Sequence, residues 1–212
     1  MNLQTIPHHS YEKELPQAGN FILGQKRESN IFVYQAFNNE IADFAIKNQK
    51  FGGQNYSFNR MTWIKPSFLW MMYRSGWAEK DSNQSRILAI EITFEGFEEL
   101  LTQGVMTSYD KSYGNEQTWR VKLSGSDVRV QWDSDHDFRG QKLNRRAVQI
   151  GIKNDALQNF NTNFIKSIQD ITPFVKEQKR GIDNNNEDFL VIHENIIDVN
   201  IALKHKYSIP EI

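Results

Sequence analysis

RMTWIKPSFLWMMYRSGW, residues 60–77, packs three tryptophans, two arginines and a lysine into eighteen positions. A plain core segment needs the rings but not the cations, and a plain surface segment needs the reverse. Pro66 divides the stretch. Proline suits the first turn of a helix and holds the residue before it extended. Residues 58–65 are therefore expected to be extended and SFLWMMYRS to be helical, with Gly76 as the stop. On that helix Trp70, Arg74 and Trp77 share a face if Trp77 still follows the helical path. Phe68, Leu69, Met72 and Tyr73 make a broad second face that reads as core.

Outward from this stretch, NIFVYQAF (30–37) alternates and is rich in β-branched and aromatic residues, as a strand should be. Asn38 can cap a following helix in EIADFAIKNQKF, which Gly52 and Gly53 would stop. RILAIEITF (86–94) is the best strand pattern in the chain, and EGFEELLTQ (95–103) reads as a short amphipathic helix ending at Gly104. Residues 107–118 read as a polar loop. VRVQWD (128–133) and RAVQIGI (146–152) are two further strands. Residues 155–171 read as one long amphipathic helix burying Leu157, Phe160, Phe164, Ile165 and Ile168. Strands and helices mix without strict βαβ alternation. This predicts an α+β fold with a central mixed or antiparallel sheet flanked by helices in a single compact domain. Residues 1–20 are expected to be a flexible arm, 21–180 the domain, and 181–212 a linker and C-terminal extension.

Hydrophobic residues make up 39% and aromatics 12%, enough for a sizeable core. The formal net charge of −1 excludes a global basic field, so any nucleic-acid site must be a local patch. With no cysteine, disulfides, thiolate zinc sites and cysteine nucleophiles are excluded, which suits a cytoplasmic protein. The N-terminus lacks the apolar stretch of a signal peptide, and the run Phe68–Met72 is far too short to span a bilayer. Serine-hydrolase, P-loop, dinucleotide-fold and HExxH signatures are missing. DSDHD (133–137) begins like a calcium loop. It then fails at Phe138, where glycine is required, and at Asn144, where glutamate is required. No metal site is expected.

Two clusters carry chemistry. Arg60 and Lys65 flank Trp63 just before a helix start, a setting that favours phosphate. Arg74 can stack on an indole, and the same rings could sandwich a base. In the second cluster Arg129, Gln131 and Asp133 line one strand face, and Arg145 and Gln149 one face of the next. With Gln35 these place an amide on each of three strands. Buried amides must be hydrogen-bonded, either to one another or to a polar ligand. Glu91 lies in an apolar strand and needs a cation if it points inward, with Arg74 or Arg60 as candidates. Simple core packing for the tryptophans and solvated charge for the cations are equally open readings at this point.

VYQAF, RMTWIKPSFLWMMYRSGW, LAIEI, VRVQWD and RAVQIGI together resemble domain-of-unknown-function family 4291, over about residues 22–172. The resemblance implies an intracellular single-domain protein and carries no activity or catalytic residue with it. The residues themselves point to nucleotide or nucleic-acid handling. The leading expectation is an NAD-using transferase similar to ADP-ribosyltransferases. Tyr34, Gln35, Arg60, Trp63, Lys65, Arg74 and Trp77 would bind the cofactor. Glu91 and Gln149 would act catalytically, and Arg129, Gln131 and Arg145 would contact a nucleic acid. Gln35 departs from the arginine or histidine often found at that place in such enzymes. The alternatives are a non-catalytic nucleotide or nucleic-acid binding module and an interaction domain whose tryptophans are all core.

Overall fold

The strands Asn30–Phe37 and Arg86–Thr93 pair antiparallel along their whole length, Asn30 opposite Thr93 and Phe37 opposite Arg86. The computed structural model describes residues 3–211. This pair centres a four-stranded antiparallel sheet, flanked by Ile165–Asp170 on one side and Lys26–Arg27 on the other. A second sheet is built on the hairpin Val128–His136 and Lys142–Ile152, with Val105–Met106 beyond the first of these strands. The outer edge of Lys142–Ile152 carries Gly19–Asn20 at one end and Thr62–Ile64 at the other. The architecture is mixed α+β, in one domain.

The 60–77 stretch stitches these sheets together. Thr62–Ile64 pairs with Lys142–Ile152, and the next residue forms an isolated bridge to the other sheet. In that bridge Tyr34 N donates to Lys65 O at 2.7 Å and Lys65 N to Tyr34 O at 3.2 Å. Pro66 has no N–H with which to continue the pairing, and the chain turns into the helix Phe68–Ser75. Ser67 caps that helix by accepting from Trp70 N, and Gly76 ends it in the left-handed conformation at φ 55°. Glycine adopts that conformation without steric cost.

Alternation decides what each strand buries. Ile31, Val33, Leu88, Ile90 and Ile92 from the first sheet and Val128, Val130, Val148, Ile150 and Ile152 from the second share one apolar core with the helix Phe94–Gln103. Phe32, Tyr34, Ile87 and Ala89 face the other way, against Phe68, Leu69, Met71 and Met72. Burying a side chain of this size is worth about 1.5–3 kcal/mol.

Three expectations are corrected here. Residues 155–171 are not one helix: Asn154–Asn159 is helical, Phe160–Phe164 is a π-turn, and Ile165–Asp170 is a strand. Leu157, Phe160, Phe164 and Ile168 are buried all the same, and Ile165 partly so, because the strand completes the edge of the first sheet. The polar stretch after residue 107 contains the helix Glu116–Gly125, none of whose residues is buried. The N-terminal segment is packed rather than free. Thr5–Pro7 pairs with Leu190–Ile192, and Leu3, Tyr11 and Leu15 are buried. The extension after residue 180 thus shares a small sheet and an apolar cluster with the opposite terminus.

Candidate functional site

A cleft of about 870 Å³ opens where the end of the Asn30–Phe37 strand meets the 60–65 segment and the hairpin of the second sheet. Gln35, Arg60, Trp63, Lys65, Arg74, Gln131 and Gln149 all line it. Strand pairing explains the convergence. Gln35 follows Tyr34, whose bridge to Lys65 holds the two segments together. Gln131 lies directly opposite Gln149, and Trp63 directly opposite Gly151, two residues along the same strand. A Cβ at Gly151 would stand 2.8 Å from Met61 Sδ and 3.0 Å from the Trp63 ring. Glycine at 151 therefore leaves room for Met61 and Trp63 against that strand.

The amides are arranged in order. Gln131 Nε2 and Gln149 Nε2 each donate to Asp133, at 2.8 Å to one and the other carboxylate oxygen. Gln35 Nε2 donates to Thr62 Oγ1 at 2.6 Å, while its carbonyl oxygen is buried without a partner. An orphaned buried acceptor of this kind costs about 1–3 kcal/mol unless something donates to it.

Lys65 is 6% exposed, and its amine donates to Trp63 O at 3.2 Å. Burial, with the Arg74 guanidinium adding to it and Asp133 partly offsetting it, lowers its pKa to about 7. Arg60 and Arg74 are exposed at the cleft. One wall therefore offers cations and an amine close to neutrality, and the other offers the amides of Gln131 and Gln149.

Other expected site residues lie elsewhere. Glu91 does not line the cleft. Its carboxylate takes hydrogen bonds from Arg27, Asn30 and Ser167, so the partner cation is Arg27 rather than Arg60 or Arg74. Trp77 is buried edge-on to Phe68, with its indole N–H donating to Phe138 O at 3.2 Å. The helix ends at Gly76, so the seven-residue spacing from Trp70 to Trp77 no longer places them on one face. Tyr34 is fully buried against Phe68. Arg145 is 2% exposed, fixed between Asp135 at 2.6 Å and Glu12 at 3.0 Å. Arg129 donates to Leu123 O at 3.3 Å, beside the Glu116–Gly125 helix. Of the residues expected to contact nucleic acid, the cleft brings in Gln131 alone. The remaining acid of the 133–137 loop, Asp137, accepts from Arg139 N and Gln141 N in a turn.

Residues 21–196 match a family model described as a domain of unknown function (DUF4291). The chain belongs to the DUF4291 family. No curated protein matches the sequence. The DUF4291 segment includes every cleft residue from Gln35 to Gln149. Glu12, which holds Arg145, lies before it. Among the described residues of this DUF4291 chain no helix is long and apolar enough to cross a membrane.

Reading residues singly missed Asp133 as the point where two strands' amides meet. The signal was present in the shared alternation of Gln131 with Asp133 and the matching position of Gln149. Asn38, Asn55, Asp81, Asn83 and Gln84 also line the cleft and come from caps, loops and a single turn without a pattern of their own, and Thr62 joins them from the start of its strand.

Proposed function

We propose that the cleft is a nucleotide site and that the protein is an NAD-using transferase acting there. The observation that carries this is the convergence of Gln35, Arg60, Trp63, Lys65, Arg74 and Gln149 on one cavity of about 870 Å³, within the size range of cofactor sites. Arg60 and Arg74 suit a pyrophosphate, which arginine binds in a bidentate manner. The unpartnered carbonyl oxygen of Gln35 suits a carboxamide or hydroxyl donor. Gln131 and Gln149 each give an N–H to Asp133, which leaves their carbonyl oxygens to accept from ribose hydroxyls. Trp63 supplies a ring for stacking. In this reading Glu91 takes no part, because it is committed to Arg27, and Asp133 acts by holding the two glutamines. Calorimetry with NAD and ADP-ribose, together with nicotinamide release with and without RNA, tests it. Binding plus turnover supports the proposal, and silence in both assays overturns it.

A binding module for a nucleotide or modified nucleotide is the second reading. It is favoured by the state of Asp81, which lines the cleft, and of Asp133, which is bonded to two of its lining residues. Asp133 is held by two amides, and Asp81 is occupied by Asn83 N and Gln84 Nε2. Tight binding without nicotinamide release would select it.

A further inference from the structure

Lys65 is placed unlike any ordinary surface lysine. Its backbone is locked by two hydrogen bonds to Tyr34 at the seam between the sheets. Its side chain is buried yet lines the cleft, and its amine is held by a neutral carbonyl, Trp63 O, rather than by a carboxylate. Arg60 and Arg74 line the same cavity, and the buried carbonyl oxygen of Gln35, one residue beyond the bridge, has no partner. A fixed amine beside two anion-binding guanidiniums is the arrangement that directs a phosphorylated carbonyl compound onto nitrogen.

We propose that Lys65 is a nucleophile that forms an imine with the aldehyde carbon of a phosphorylated aldose, such as the open-chain terminal ribose of ADP-ribose, whose phosphates Arg60 and Arg74 hold. This rests on the reading of the cleft as a nucleotide site. The neutral amine's lone pair attacks the aldehyde carbon of the terminal ribose, and the carbonyl oxygen takes up a proton to give a carbinolamine. Loss of that hydroxyl as water, with the nitrogen's proton, leaves C=N. No oxidant or reductant enters, and water reverses the step. The amine must be neutral to attack. Burial first, then Arg74 on the helix, moves it toward neutrality at physiological pH, while Asp133 on the facing strand opposes this. Arg60 from its own segment adds positive charge to the cleft, and Asp81 adds negative.

The test treats the full chain with ADP-ribose and sodium cyanoborohydride, which reduces the imine to a stable amine, and maps adducts by peptide mass spectrometry. Lys65 should be labelled at least tenfold faster than any other lysine. Its rate should rise about tenfold per pH unit below pH 7 and level above it, as for an amine titrating there. Lys65→Met should lose that adduct while the other lysines keep their slow background labelling. Binding with labelling spread evenly over surface lysines would overturn the imine and leave the nucleotide site standing. Neither binding nor selective labelling would overturn both. If Lys65→Met does not fold, the pH–rate profile of the unaltered chain decides alone: an inflection at the usual lysine range above pH 10 rejects the proposal.

Discussion

Gln131 and Gln149 face each other across neighbouring antiparallel strands and clamp the two oxygens of a single carboxylate, Asp133. The clamp fixes which end of each amide is free. Asp133→Asn replaces an acceptor for two donors with a group that has one acceptor and its own N–H to place. One glutamine N–H then loses its partner, at a cost of about 1–3 kcal/mol. The substitution also removes the charge that raises the Lys65 pKa. Urea melts should show the loss, and NMR titration should show Lys65 deprotonating at lower pH than in the unaltered chain.

Arg60 and Arg74 are exposed and make little of the fold. Arg60→Ala and Arg74→Ala should therefore leave stability within about 0.5 kcal/mol. Each should weaken ADP-ribose or NAD binding by tenfold or more, since a charge-assisted hydrogen bond contributes about 1.5–3 kcal/mol. Calorimetry beside a thermal melt reads both. Unchanged affinity in the two variants would remove the guanidiniums from the site.

Gly151→Ala inserts a methyl group where Met61 and Trp63 already lie within about 3 Å. Overpacking of this kind costs about 1–3 kcal/mol. The strain falls on two cleft residues, so the tryptophan fluorescence spectrum and ligand affinity should change together. A stable variant with unaltered affinity would show that Trp63 contributes nothing to binding.

Glu91 and Arg27 form a bidentate pair in which the carboxylate is almost wholly buried and the guanidinium is partly exposed. Burial alone would raise the Glu91 pKa, but the hydrogen bonds from Asn30, Ser167 and Arg27 outweigh it and hold the pKa below the usual range. Glu91→Ala strands three donors and should cost about 2–4 kcal/mol by chemical denaturation. NAD or ADP-ribose affinity should stay within about twofold under conditions where the variant is folded. A selective loss of binding or turnover would restore Glu91 as a site residue.

Glu194 joins the termini to the cleft-bearing helix, accepting from Tyr11 Oη at 2.7 Å and from Phe68 N. Burial pushes its carboxyl up to about 8, against the hydrogen bonds from Tyr11, Phe68 and Ser67. Between about pH 4.5 and 8 the folded chain keeps a proton that the unfolded chain has released. The contribution of this group to stability therefore falls as pH rises through that window. Glu194→Gln removes the titration. Measured by urea melts at pH 5, 7 and 9, the variant should gain on the unaltered chain with rising pH by about 1–3 kcal/mol. A pH-independent difference would show that Glu194 stays ionised.

Local chemistry was legible in the chain itself. Asn38 caps the helix it precedes, Gly76 ends another, and the alternation of Val128, Val130 and Trp132 with Arg129, Gln131 and Asp133 marks the two faces of a strand. Arg60, Trp63 and Lys65 were legible as a group because six residues contain them and Pro66 sets their extended backbone. Each of these depends on neighbours within a turn or a pleat. What remained belongs to pairing across the chain. An apolar spacing at 160, 164 and 168 satisfies a helix or a π-turn followed by a strand, and the free edge of Arg86–Thr93 selects the latter. Alternation states which face a charge occupies but not which charge it meets. Arg145 finds Glu12 and Asp135, Arg27 takes Glu91, and Trp77 turns inward once Gly76 breaks the helix. Burial makes those choices, because a desolvated charge must take whatever partner the packed chain brings within reach. The cleft itself is decided the same way, by one backbone bridge that sets Lys65 against Tyr34 and brings Gln35 to the glutamines of the second sheet.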